Sequence, residues 1–232
     1  MIYYDYTIFL LIPAIILSLA AQIMVSTAYN KYRAVRNRRN ETGLRAARKI
    51  LDRNGLQAVG VQMAHGKLSD HYDPRKRTLF LSEDVYEGMS VAAVSIAAHE
   101  AGHAIQHATK YIPLAIRSSI APVASFSSQA AMILIVVGMF IVNTQYAFFG
   151  PILFDIGIIM YTAVLFFQTV TLPVEFNASK RARECLESYG VVYGDEMKGV
   201  KRMLAAAAMT YVAAMIASLL TLIRFLLIRS RR

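Results

Sequence analysis

The sequence predicts a mainly α-helical, polytopic membrane protein, with about four transmembrane helices and a small cytoplasmic α+β layer. Three observations carry that expectation. Four apolar blocks, residues 7–28, 122–142, 151–171 and 204–228, each reach the roughly 20 residues a helix needs to cross a bilayer core. Hydrophobic residues make up 56% of the 232 and mean hydropathy is +0.42, with the excess gathered into those blocks. Residues 29–118 form a polar interval carrying fifteen Lys/Arg and eight Asp/Glu, with the pattern of short helices and strands.

The elements follow in order. The first block has no basic residue before it and exceeds the 7–15-residue apolar core of a cleavable signal, so it reads as a retained anchor (residues 1–28). Asp5 is the sole charge ahead of it, and nine Lys/Arg lie between residues 29 and 53 against only Glu41 and Asp52. That asymmetry places residues 29–118 on the cytoplasmic side. Residues 119–172 form a transmembrane hairpin turning through the uncharged stretch 143–150, which returns Glu175 to the cytoplasmic side within segment 173–202. Residues 203–232 are a last membrane helix with a basic tail. A full crossing would put Arg229, Arg231 and Arg232 outside, so this helix either crosses against the positive-inside tendency or lies partly in the interface.

The net charge of +10 would suit nucleic acid, but it sits beside the membrane blocks, where it sets topology and attracts anionic lipid. No nucleic-acid partner is expected. Cys185 is the one cysteine, which excludes an internal disulfide and a cysteine zinc site.

Within the polar interval, residues 42–54 read as a short helix stopped by Gly55, and residues 56–64 as a strand. Asp73-Pro74 marks a turn, and residues 78–82 read as a second strand. Ser90 can cap a helix running to about Thr109. That helix contains His99-Glu100-Ala101-Gly102-His103. Residues four apart share a helix face, so both imidazoles can reach one metal ion. Glu100, one residue on, can take a proton from an activated water. Ala101 and Gly102 are small enough to let another element approach. Without a metal, the same pattern is a pair of polar histidines on a solvated face.

A catalytic zinc site needs a third protein ligand and an open position. Glu175, in Leu172-Pro173-Val174-Glu175-Phe176, has the matching topology; Pro173 suits the first turn of a new helix, whose positive end Glu175 would otherwise simply complement.

Three passages support a family resemblance: residues 68–74 (LSDHYDP), residues 97–107 (AAHEAGHAIQH) and residues 172–176 (LPVEF). By these and by its hydrophobic layout the chain resembles the YugP-type membrane zinc metallopeptidases of bacteria, and more distantly the HtpX-type and CAAX prenyl proteases. The resemblance implies a zincin-like layer, one zinc ion held by His99, His103 and Glu175, Glu100 as general base, and a bacterial inner membrane with the site on the cytoplasmic face. The distant relatives carry an Asp four residues after the ligand Glu to support a ligand His. Here Ser179 stands there, leaving that role to Ser179, to Asn177 or to another group.

His107 shares the face of His103 and suits support or core packing rather than ligation. His71 or Tyr72 could stabilise an oxyanion or simply hold the turn. Asp155, an acid in an apolar helix, is a rival third ligand of the site-2 protease kind, although the topology puts it near the outer edge. The strand at residues 78–82 could receive an extended substrate at a free edge. The function these readings favour is a membrane-bound zinc endopeptidase acting on membrane-associated or unfolded polypeptides. Intramembrane proteolysis through Asp155 and a non-catalytic zinc-stabilised scaffold are the alternatives.

Overall fold

The computed structural model describes residues 6–66, 69–141 and 144–230. Asp5, Leu68, Val142, Asn143, Arg231 and Arg232 lie outside the described residues. After a 3-10 turn at Tyr6–Leu10 come α1 (Leu11–Arg33), α2 (Gly43–Arg53), β1 (Gly60–Ala64), β2 (His71–Asp73), β3 (Thr78–Ser82), α3 (Glu83–Tyr86), α4 (Val91–Ala108), α5 (Ile112–Phe140), α6 (Phe149–Ser188) and α7 (Asp195–Ser230). The helical stretches Tyr6–Arg33, Ile112–Phe140, Phe149–Ser188 and Asp195–Ser230 are all long and apolar enough to cross a membrane, so the chain is a mainly α polytopic membrane protein. The chain divides into two compact units.

One unit comprises Met1–Ala20, Ile116–Leu172 and Tyr211–Arg232. Its small core gathers Ile135, Phe154, Ile158, Leu222 and Phe225. Gly138 lets α5 and α6 touch backbone to backbone: a Cβ there would stand 2.8 Å from the Gly150 carbonyl oxygen. Small residues at such crossings are how membrane helices pack closely. Ile15, Ile16, Phe126, Ile133, Ile159 and Phe166 point outward. Those side chains would cost free energy in water and match a lipid surround.

In this unit Arg229, on α7, meets Asp155, on α6. Its guanidinium donates to both carboxylate oxygens, with Nη2 at 2.8 Å from Oδ2. Two residues that are anomalous one at a time in the sequence, an acid inside an apolar helix and an arginine at the far end of another, are partners. Asp155 is thereby engaged by a cation rather than offered to a metal.

The other unit comprises Ala21–Ala115 and Pro173–Thr210. Its core includes Ile50, Leu51, Leu79, Leu81, Val94, Leu186 and Val200, all fully buried. Helix α2 is amphipathic: Ala46, Ala47, Ile50 and Leu51 face inward. Thr42 caps it by accepting from the Arg45 N–H, and Gly55, at φ +73°, ends it. Leu56 N–H returns to the Leu51 carbonyl and Gly55 N–H to that of Asp52, the paired bonds of a Schellman stop. Residues 56–59 then turn, with Val59 N–H returning to the Leu56 carbonyl and Arg48 donating to the carbonyls of both, so β1 begins only at Gly60 and not at Leu56.

The sheet runs β1-β3-β2, with β1 parallel and β2 antiparallel to β3. This order corrects the expectation for residues 78–82. With Leu79 and Leu81 buried, β3 is the central strand, hydrogen-bonded on both sides. It has no free edge for a substrate. The strand β2 and the single-turn α3 are each too short to show a period in the sequence.

A second correction concerns Pro173. It lies inside α6, which runs unbroken from Phe149 to Ser188, and so starts no new helix. A proline there removes one backbone hydrogen bond. Tight packing beyond it holds the helix together: Val174 and Ala178 are fully buried. Glu175 is therefore a mid-helix residue, and a helix-end dipole does not explain its charge.

Candidate metal centre

Helix α4 carries the paired histidines. Ser90 caps it, with its Oγ accepting from the Ala93 N–H at 3.1 Å. Its buried face is built largely of alanine, with Ala97, Ala98, Ala101 and Ala104 all at 2% exposure or less. Such a face lets neighbours come close. At Gly102 the neighbour is α6 itself: an added Cβ would lie 2.7 Å from the Ala178 carbonyl oxygen. That contact brings the turn of α6 bearing Glu175 up to the turn of α4 bearing His99 and His103.

The three side chains converge. His99 Nε2 lies 3.1 Å from Glu175 Oε2 and His103 Nε2 lies 3.6 Å from the same oxygen. The imidazole rings stand 4.8 Å apart at 85°. One donor atom from each residue falls within a 4.8 Å cluster. Ligands at about 2.0–2.1 Å around a tetrahedral zinc stand roughly 3.3–3.4 Å from one another. The two nitrogen-to-oxygen separations bracket that edge. Two imidazoles and one carboxylate are also a donor set that zinc takes readily.

The supporting bonds leave the right atoms free. His99 Nδ1 is 3.2 Å from Ser179 Oγ, and His103 Nδ1 is 3.0 Å from Gln106 Oε1. With hydrogen on each Nδ1, Nε2 is the ring nitrogen that meets Glu175 in both residues, donating to its carboxylate when the ring is protonated and open to a metal when it is neutral. Ser179, four residues after Glu175, thus meets His99 with a hydroxyl. Burial alone would raise the Glu175 carboxyl, but hydrogen bonds from His103 and His99, and their charge, hold it far below its ordinary 4.5. Burial depresses His103, and the bond to Glu175 with the nearby Glu100 charge more than reverses this, leaving it above 6.5. These groups lie beyond the apolar stretch 151–171 of α6.

Glu100 is partly exposed, and its carboxylate makes no hydrogen bond to the described residues. Asp70 stands near enough for the two charges to repel; burial first, and then Glu100, push its carboxyl up. Asp70 accepts from Ser82 N–H at 2.7 Å and from the Ser82 hydroxyl, pinning the approach to β2 against the end of β3.

The remaining candidates sit as follows. Tyr72 and His107 bond each other, Oη to Nδ1 at 2.8 Å, tying β2 to α4 one turn past His103. His71 stacks on Phe80 with ring centroids 5.0 Å apart and donates from Nδ1 to the Ser69 carbonyl. Asn177 hydrogen-bonds neither His99 nor His103 directly; its Oδ1 accepts from Gln106 Nε2 and Arg181 Nε. Gln106 escaped the sequence reading altogether. It lies in the family-like run 97–107, but only the tertiary fold reveals that it is wholly buried between the two helices.

The family model described as "Putative neutral zinc metallopeptidase" matches residues 7–230. The chain is 46% identical over 221 residues, 95% of each chain, to "Putative membrane protease YugP" of Bacillus subtilis (strain 168). No solved structure matches it at a significant level. A site with the donors of a zinc peptidase, on a chain with four candidate spans and this likeness, leads to one conclusion: the chain belongs to the neutral zinc metallopeptidase family.

Proposed function

We propose that this protein is a membrane-bound zinc endopeptidase that hydrolyses peptide bonds in membrane-associated or unfolded polypeptides at the cytoplasmic face of a bacterial inner membrane. The observation that carries this reading is the convergence of His99 and His103 Nε2 on one oxygen of Glu175, with Glu100 unengaged beside them.

His99, His103 and Glu175 would hold a single zinc ion, which when bound polarises a carbonyl and eases ionisation of water. The chain's own groups do the rest. Ser179 and Gln106 keep the imidazoles turned toward Glu175. Glu100 takes the proton of the attacking water on its carboxylate and hands it to the departing amine. With no hydrogen bond to any of the described residues, that carboxylate is available for both transfers. The outer edge of β2, the strand tied to α4 through Tyr72 and His107, is the natural place for an extended polypeptide to pair. An extended edge-bound segment cannot be compactly folded, which points to loosely folded substrates. The basic stretch after α1 and the apolar outward residues keep the enzyme at the lipid surface, where membrane-associated chains are concentrated.

The test is cleavage of an unfolded model polypeptide by the full chain in detergent, beside Glu100→Gln. The variant is expected to keep its zinc and to lose about a hundredfold or more of the rate. Equal cleavage by both proteins would overturn the assignment and favour a zinc-stabilised scaffold contaminated by another protease.

A further inference from the structure

Gln106 has one acceptor and two donors at the end of a fully buried side chain, and all three are used. Nε2 donates to the Val174 carbonyl at 2.8 Å and to Asn177 Oδ1 at 3.0 Å. Oε1 faces His103 Nδ1 at 3.0 Å. The direction of this amide is not free. A backbone carbonyl can only accept, so the NH2 group must face Val174. Asn177 is fixed as well, because Arg181 Nε, which can only donate, lies 2.8 Å from the same Asn177 Oδ1. Both neighbours of the NH2 group are therefore acceptors. Oε1 is left facing His103, so His103 must carry its hydrogen on Nδ1. Nε2 is then the nitrogen turned toward Glu175, donating to it in the protonated ring and carrying the lone pair in the neutral one.

We infer that Gln106 is a positioning residue that sets the tautomer of His103, reading its polarity from the Val174 carbonyl and from Arg181 through Asn177. Its two ends do different work. The NH2 end fastens α4 to the turn of α6 that bears Glu175. The oxygen end makes Nε2 the nitrogen available to a metal. This rests on the metal-binding reading above and adds a residue that the HEAGH pattern does not contain.

The experiment measures zinc affinity by chelator competition, melting temperature after zinc removal, and the visible absorption of the cobalt-substituted protein, all on the full chain. Gln106→Leu removes both ends; Gln106→Glu keeps an acceptor for His103 but sets an oxygen against Val174 and Asn177. Zinc affinity should fall roughly 10–100-fold in Gln106→Leu, with an altered cobalt spectrum. In Gln106→Glu it should stay within about threefold of wild type, on the same principle that a carboxylate can replace the amide as acceptor for a ligand histidine, although the zinc-free protein melts lower. Equal loss of affinity in both variants would show that the tether alone matters and overturn the inference, as would an unchanged affinity in Gln106→Leu. Should Gln106→Leu fail to fold, Gln106→Glu decides: retained affinity with a lowered melting temperature supports the split role, and lost affinity overturns it. A wild type that binds no zinc would instead remove the metal reading itself, and this inference with it.

Discussion

The Gly102 Cα faces the backbone of Ala178, and a methyl group added to Gly102 would stand 2.7 Å from the Ala178 carbonyl oxygen. Backbone cannot swing aside as a side chain can. Gly102→Ala should therefore push α4 and α6 apart, lowering stability by about 1–3 kcal/mol and spreading the three ligands. Thermal melts and zinc content of this variant check both effects. A variant with unchanged zinc content would show that the close approach is not what assembles the site.

Ser179 Oγ lies 3.2 Å from His99 Nδ1, the only hydrogen-bond partner of that nitrogen among the described residues. Ser179→Ala is expected to weaken zinc binding about tenfold, the low end for such supporting groups because a neutral hydroxyl is the partner. Ser179→Asp should bind at least as tightly as wild type. Chelator competition measures both, and a tight-binding Ser179→Ala would remove Ser179 from the site's support.

Asp155 is held by Arg229 on both carboxylate oxygens. Asp155→Asn should leave zinc content and cleavage as they are, while lowering the melting temperature because the arginine loses its counter-charge. Loss of zinc with retained folding would revive Asp155 as a ligand.

The pH dependence of the metal-free protein follows from two opposite shifts. Glu175 is held below 4.5, so its contribution to stability is complete above that value and lost as pH falls through the lowered pKa. His103 is held above 6.5, so its contribution is complete below that value and lost as pH rises through the raised pKa. The metal-free protein should be most stable between those two values. Zinc acts the other way, because it needs neutral imidazoles and its binding displaces protons. The gap in melting temperature between zinc-loaded and chelator-treated protein should widen from about pH 6 to about pH 8. A constant gap would mean that the histidines are not ligands.

What could be read from the sequence was what local chemistry decides. Ser90, Thr42 and Gly55 mark their helix ends because caps depend on neighbours a few residues away. The His99–His103 pair is legible because spacing alone puts both on one helix face. That Glu175 meets this pair needed the topology and the family resemblance, since nothing local separates a buried acid from a surface one. The errors were matters of long-range arrangement. Nothing within residues 78–82 says that two other strands will flank them. Pro173 sits where a helix could begin, yet packing of Val174 and Ala178 carries the helix through. The pairing of Asp155 with Arg229 and the burial of Gln106 both join segments more than sixty residues apart, beyond the reach of any periodicity.

The central claim is that Glu175 completes a zinc site with His99 and His103, and the most direct measurement is zinc content of the purified full chain, wild type beside Glu175→Ala. The account predicts one zinc per wild-type chain and its loss in the variant, with folding retained. A folded Glu175→Ala protein that still holds one zinc per chain would contradict it.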